Sequence, residues 1–158
     1  MIEIFKKISY QFPDWKLRIV GSSDDKQYMQ VLKNRIINLK LNNSVSIITN
    51  VSEEDLVKEY KKASIFCLLS RNESFGISRI EAIHYGLPLV ISEAGCGLQY
   101  KKFGSFVCDI ENQDCVKEAL SKLILNQTLR EEIAESQKPM ALNWRDVAFK
   151  FSELIDSR

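Results

Sequence analysis

Short apolar runs alternate along the chain with longer segments whose apolar residues recur at helical spacing. The short runs predict β-strands, because each is bounded by glycine, proline or polar residues. One of them, Ile65–Leu69, contains no charged residue, which is typical of a strand covered on both faces. The predicted strands lie at residues 16–20, 45–49, 65–69, 89–91 and 105–108.

The amphipathic segments predict helices between and after these strands. Asp24 or Asp25 can cap one helix, and Ser52, followed by three carboxylates in the first turn, can cap another. The predicted helices include residues 2–10, 28–39, 52–63, 77–85, 113–125, 128–140 and 144–155. This alternation predicts a Rossmann-like α/β fold, a doubly wound and mainly parallel sheet, with residues 1–158 as a single domain.

Composition narrows the classes of function. The chain has 158 residues, 45% of them hydrophobic, and a formal net charge of +1, which gives no electrostatic case for nucleic acid as a partner. No apolar run approaches the ~20 residues that span a bilayer, and the start does not resemble a signal peptide. We therefore expect a cytoplasmic chain.

Metal binding has little support in the sequence. The four cysteines form no Cys-x-x-Cys pair, and His84 is the only histidine. We expect buried, reduced thiols rather than metal ligands, and a structural histidine rather than a general base. No metal and no cofactor is predicted.

The predicted strands direct attention to the loops at their carboxyl ends, where doubly wound sheets bind ligands. These loops are Gly21–Asp25, Asn50–Ser52 and Ser70–Gly76. In the third, Gly76 permits a tight turn directly before a helix, whose unpaired amides form an anion site. Arg71 lies beside it and can contact phosphate or remain a solvated loop residue.

Two carboxylates near this loop indicate what kind of ligand the site can bind. Glu73 lies in the loop and Glu81 about one turn inside the following helix, at the margin of an apolar stripe (Ile77, Ile80, His84) predicted to face the sheet. A glutamate in such a position needs a partner. The partner can be a ligand's pair of hydroxyl groups or a cation such as Arg79.

Residues Ser70–Ala82, with Gly86-Leu87-Pro88-Leu89-Val90 after them, resemble the Glu-x7-Glu signature of the family-4 (group 1) retaining glycosyltransferases. Residues 13–21 resemble the family's strand into a glycine turn, residues 50–56 its segment around the nucleobase, and Trp144 with the last helix its closing helix. The resemblance implies the C-terminal, donor-binding lobe of a GT-B fold, used for retaining transfer of a hexose in polysaccharide biosynthesis.

The resemblance implies roles on the sugar side of the site. Glu73 would be the catalytic-site carboxylate that hydrogen-bonds the donor sugar's hydroxyls. Ser74, Phe75, Gly76 and Ile77 would hold the sugar and the diphosphate, mostly through their backbone.

On the nucleoside side, Gly21 would border the phosphates, Glu81 would accept hydrogen bonds from the ribose, and Asn50 and Val51 would line the base pocket. The implied partners are a nucleoside-diphosphate sugar and a glycan or lipid-linked acceptor bound by an N-terminal lobe. Peripheral membrane association of a full enzyme also follows from this resemblance.

The sequence departs from the family at its start. The chain begins at a helix that follows the first strand of this lobe in the family, so we expect a lobe truncated at its N-terminus. The missing strand would lie between residues 16–20 and 65–69, and its absence predicts a gap or an exposed edge. Two other functions therefore remain possible interpretations of the sequence. One is a catalytically inactive lobe that binds nucleotide or pairs with another lobe, and the other is the lobe of a nucleotide-sugar epimerase.

Overall fold

The computed structural model describes residues 1–141, as helices that alternate with parallel strands. The predicted α/β fold is confirmed, and the predicted helix at residues 144–155 lies outside the described residues. The helices are α1 (Ile2–Ser9), α2 (Lys26–Asn38), α3 (Glu53–Lys62), α4 (Ile77–His84), α5 (Gln113–Leu125) and α6 (Gln127–Gln137). The strands are β1 (Leu17–Val20), β2 (Val45–Ile48), β3 (Phe66–Leu68), β4 (Leu89–Ser92) and β5 (Phe106–Cys108).

Local sequence determines where two of the helices start. The Asp25 side chain accepts a hydrogen bond from the Tyr28 amide at 2.9 Å, and the Ser52 hydroxyl accepts one from the Asp55 amide at 3.1 Å. The predicted Ser52 cap is confirmed, and of the two candidates Asp24 and Asp25 it is Asp25 that caps α2. Gly97–Phe103 forms a 3-10 helix that the sequence pattern did not predict. Within residues 1–141 no helix is long and apolar enough to span a membrane.

The strands form two parallel sheets rather than the single sheet that was predicted. Strand β1 pairs with β2, and β4 lies between β3 and β5. Among the described residues, no strand joins β1 to β3. This division agrees with the gap expected between residues 16–20 and 65–69.

Helix α1 packs against both sheets. Ile8, which is fully buried, belongs to the core over the three-stranded sheet, and Cys67 of β3 packs against that core. Phe5 belongs to a second core with Val45 of β2. The two sides of one helix therefore cover the two sheets.

Helix α3 connects the sheets on the opposite face. Tyr60 lies near Phe66 of β3, whose side chain alternates with that of Cys67 and so points away from α1. The preceding residue, Glu59, accepts two hydrogen bonds from Arg18 of β1, the one from Nη2 being 2.7 Å long. Both α1 and α3 therefore contact the two sheets, although β1 and β3 are not paired with each other.

Helix α4 is rotated relative to the prediction. Arg79, Ala82 and Ile83 are buried, whereas Ile77 is 60% exposed and His84 is exposed. The predicted stripe placed Ile77, Ile80 and His84 toward the sheet and did not include Arg79. That prediction was wrong for Ile77 and His84, which are exposed, whereas the Arg79 guanidinium is buried.

The cysteines also differ from the prediction of reduced thiols. Cys108, at the end of β5, is bonded to Cys115 of α5 as a disulfide. Cys67 and Cys96 are free, and burial raises the pKa of the Cys67 thiol to about 12, so that this thiol is unreactive.

Candidate functional site

The predicted site loop folds around the Glu73 carboxylate. Its Oε1 accepts hydrogen bonds from the amides of Ser74 at 3.0 Å and Gly76 at 3.1 Å. Gly76 then begins α4 with a left-handed φ of 69°, a conformation that a side chain would strain. A Cβ at this position would also lie 2.8 Å from Cδ of Arg79. Glycine is therefore required here for the turn and for the close approach of Arg79.

These contacts change one prediction about the helix N-terminus. The Gly76 amide was expected to be free for an anion, but it donates to Glu73. The amides of Ile77 and Ser78, which follow at the start of α4, do not donate hydrogen bonds to this carboxylate. The side chains of Phe75 and Ile77 are 70% and 60% exposed. These two residues thus lie at the surface, where a ligand can reach their backbone.

A second loop packs against the first. Gly95 has a left-handed φ of 61°, and a Cβ there would lie 2.4 Å from the carbonyl oxygen of Glu73. The buried Ser92 hydroxyl donates to the carbonyl of Ser70 at 2.7 Å. A Cβ on Gly97 would lie 2.2 Å from the carbonyl of Ser92. We call residues 70–76 and 93–97 the inner loops; their backbones are in direct contact.

An open cavity of about 340 Å³ lies at the inner loops and is lined by Arg71, Asn72, Glu73, Ser74 and Gly95. Its walls are mostly polar backbone and side chains, as a sugar or phosphate requires. Arg71 is exposed and forms an ion pair with Glu111 at 3.2 Å. Arg71 therefore lies at the rim of the cavity, where it can still change partners.

Glu81 has a partner inside the protein that the sequence did not suggest. The Tyr60 hydroxyl donates to Oε2 of Glu81 at 2.9 Å. Burial, and secondarily this hydrogen bond, raises the pKa of Tyr60. The alternative partner proposed from sequence, Arg79, instead donates from Nη1 to the carbonyl of Ala94 at 3.1 Å. Glu81 lies roughly 6 Å along the helix axis from Ile77, at a rise of about 1.5 Å per residue.

The loops after β1 and β2, which we call the outer loops (residues 21–25 and 49–52), hold Gly21, Asn50 and Val51. Gly21 is exposed, and its amide donates to the carbonyl of Ile48 at 3.1 Å. Asn50 is exposed with a left-handed φ of 54°. Both outer loops follow the carboxyl ends of parallel strands, but they belong to the two-stranded sheet. The structure thus brings the two inner loops into contact, whereas the outer loops follow the strands of the other sheet.

Sequence reasoning missed three residues of this region: Tyr60, Arg79 and Ser92. The position of Arg79 in α4 held a signal, since it lies three and four residues before Ala82 and Ile83 on one helical face. Tyr60 and Ser92 gave none, because their partners Glu81 and Ser70 lie far away along the chain.

Comparison with known proteins identifies the family. The family described as glycosyl transferases group 1 matches residues 1–140. An uncharacterized glycosyltransferase of Haemophilus influenzae is 28% identical over 144 residues, which are 89% of this chain and 39% of that protein. The mannosylfructose-phosphate synthase of Agrobacterium fabrum is 30% identical over 122 residues, 72% of this chain and 27% of that one.

Solved structures show the same fold. Anabaena HepE, determined in complex with UDP and glucose, superposes with a TM-score of 0.84 at 19% identity and covers 99% of this chain and 44% of its own. The C-terminal domain of a Francisella tularensis group 1 glycosyl transferase, LpcC, has a TM-score of 0.78 at 19% identity, over 88% of this chain and 74% of its own. The chain therefore has the Rossmann-like architecture of a GT-B lobe. It spans well under half the length of the curated relatives it matches, and it belongs to the group 1 glycosyltransferase family.

Proposed function

We propose that this chain is the C-terminal, donor-binding lobe of a family-4 glycosyltransferase and binds a nucleoside-diphosphate sugar. The observation that carries the proposal is the polar cavity at the inner loops, with Glu73 in its wall and the N-terminus of α4 beside it. A helix N-terminus favours an anion such as a diphosphate, and a fixed carboxylate favours sugar hydroxyls. One site therefore offers a helix N-terminus to the diphosphate and a carboxylate to the sugar of the same ligand.

Glu73 is the residue we propose at the reaction centre. Two amides donate hydrogen bonds to Oε1 and so fix the orientation of the carboxylate. This leaves Oε2 for the hydroxyl groups of the donor sugar. The backbone of Ser74, Phe75, Gly76 and Ile77 is proposed to hold the sugar and the diphosphate.

The nucleoside is proposed to extend from α4 toward the outer loops. Glu81 would accept hydrogen bonds from the ribose with the oxygen that Tyr60 does not occupy. Asn50 and Val51 would line the base pocket, and Gly21 would border the phosphates. No metal or other cofactor is proposed, since helix dipoles and positive groups can stabilise a departing diphosphate.

The relatives support this class of ligand. HepE, which shares the fold, is bound to UDP and glucose in its structure. The family match favours a transferase over the epimerase alternative. We propose retaining transfer of a hexose to a glycan or lipid-linked acceptor, in the cytoplasm and with peripheral membrane contact of a full enzyme.

Removal of the Glu81 carboxylate tests the proposal. We expect Glu81→Ala to weaken binding of UDP or GDP by about 1–3 kcal/mol, the range for a hydrogen bond to a charged group. Calorimetric titration of the folded variant measures this loss. Glu132→Ala, which removes an exposed helical glutamate of α6, is the matched control and should change nothing. Equal affinities of the Glu81→Ala and wild-type chains would contradict the ribose role.

A second candidate is favoured by the free strand edges. Because β1 and β3 are unpaired toward each other within the described residues, the chain can serve as a lobe that acts only when joined to another. We then expect the isolated 158-residue chain to bind a nucleoside diphosphate but neither hydrolyse nor transfer the donor sugar. Turnover of UDP-glucose or GDP-mannose by this chain alone would rule out the dependent lobe.

A further inference from the structure

Arg79 is a buried guanidinium that lacks most of its partners. Its side chain has no exposed surface, and only Nη1 makes a hydrogen bond, to the carbonyl of Ala94. Nε and Nη2 are buried with no hydrogen-bond partner, and within residues 1–141 no carboxylate forms an ion pair with Arg79. Burying a charge in this way costs several kcal/mol if nothing compensates it. The burial of this charge is therefore unfavourable in the free protein, and a bound anion would make it less so.

The position of Arg79 relates this cost to the candidate site. Its Nε would lie 3.2 Å from a Cβ on Gly76, so it packs against the N-cap residue of α4. Its Nη1 lies 3.5 Å from the corresponding point on Gly97, in the second inner loop. The guanidinium therefore lies between the two inner loops, beneath the cavity that they line.

Two positive features thus meet at one place. The N-terminus of α4 carries about half a positive charge, and Arg79 adds a full one close to it. Like charges repel, so their proximity is unfavourable. The Glu73 carboxylate, which accepts a hydrogen bond from the Gly76 amide, offsets part of the helix charge but forms no ion pair with Arg79. Arg79 also approaches the ring of Tyr100 at 5.9 Å from the centroid, a contact with a neutral group that leaves its charge uncompensated.

We propose that Arg79 is a positioning residue for the diphosphate of the donor. It holds the second inner loop through Ala94, and its unpaired charge raises the affinity of the cavity above it for a phosphate-bearing ligand. The inference rests on the proposed function of the site. It assigns a buried cation to this site, beside the exposed Arg71, which is paired with Glu111.

The test compares charge removal with charge retention in the 158-residue chain. Titrations of UDP, GDP, uridine and guanosine are followed by amide NMR spectra. We expect Arg79→Met to weaken the better-binding diphosphate roughly tenfold and its nucleoside less than twofold. Arg79→Lys, which keeps the charge but not the planar fork, should retain part of the preference for the diphosphate.

The matched control is Arg130→Met. Arg130 also donates from Nη1 to a backbone carbonyl, that of Leu123, but it lies on α6. This control should leave both affinities unchanged. Thermal melting of the free chain separates a purely structural role, because Arg79→Met removes an unpaired buried charge and should melt at the same or a higher temperature than wild type.

Each outcome has a distinct meaning. Unchanged diphosphate affinity in a folded Arg79→Met chain, or equal losses for diphosphate and nucleoside, overturns the inference and leaves the proposed function in place. A markedly lower melting temperature with an unchanged preference makes Arg79 a structural residue only. A wild-type chain that binds neither diphosphate overturns both the proposed function and this inference.

Discussion

The inner and outer loops both follow the carboxyl ends of parallel strands, but they differ in how many contacts hold their backbones in place. The inner loops are tied by hydrogen bonds from Ser92 and Arg79, and the backbones of Glu73 and Gly95 are in direct contact. The outer loops contain Gly21, around which there is open space, and the exposed Asn50. The geometry of the inner loops is therefore fixed by contacts within the fold, whereas the outer loops have fewer such contacts among the described residues.

The largest expected effect comes from crowding the inner loops. Gly95→Ala forces a side chain into a left-handed residue and within 2.4 Å of a carbonyl oxygen. We expect it to lower the free energy of unfolding by about 3 kcal/mol, from strain and overpacking combined. Gly21→Ala in the outer loops meets no atom within 4 Å and should change it by less than about 0.5 kcal/mol. Urea denaturation measures the free energy of unfolding of both variants. Equal losses in the two would show that the inner loops are no more tightly packed than the outer loops.

An intermediate effect is expected where α3 meets α4. Tyr60→Phe removes the hydrogen bond to Glu81 and should cost about 1 kcal/mol near neutral pH. The folded protein raises the pKa of Tyr60 above its ordinary value of 10.0, so the unfolded chain releases this proton first. The contribution of Tyr60 is thus fully present below pH 10.0 and is lost as the pH rises above that value.

Urea denaturation at pH 8 and at about pH 11 checks the sign of this dependence. The wild-type chain should lose more stability over that interval than Tyr60→Phe, because only the wild type contains Tyr60. Tyr100, whose pKa burial also raises, is present in both chains and contributes equally to their losses. Parallel losses in the two chains would show that Tyr60 does not contribute to the dependence.

The smallest effect is expected at the link between the two sheets. Arg18 and Glu59 are partly exposed, and exposed ion pairs contribute about 0.2–1 kcal/mol. A double-mutant cycle with Arg18→Met and Glu59→Gln should give a coupling energy in that range, falling as salt is added. Absence of coupling at low salt would leave α1 as the connection between the sheets. The hydrogen bond from Arg18 is also the main reason why the pKa of Glu59 is lowered.

The sequence predicted the elements well because their causes are local. Asp25 and Ser52 cap helices within three residues of themselves, and both caps were read correctly from side-chain chemistry alone. The loop after β3 was predicted as the site from the same kind of evidence, a glycine before a helix and a nearby carboxylate. What remained open was how the atoms of that loop are used, as the engaged amide of Gly76 shows.

Helix α4 shows where sequence reasoning failed. Its buried face was predicted to contain Ile77, Ile80 and His84, from the helical spacing of these residues. The structure buries Arg79 instead, between glycines that leave room for its side chain. That outcome depends on the position of Gly97 in a different loop, which helical periodicity cannot report.

The sequence by itself determined the order of strands and helices, their caps and the family to which the chain belongs. These properties arise from residues close to one another along the chain. Tertiary structure alone decided the pairing of Tyr60 with Glu81, the burial of Arg79, the disulfide of Cys108 and the division of the strands into two sheets. Each of these depends on which distant segments pack together, because burial and hydrogen-bond partners are set by the whole fold.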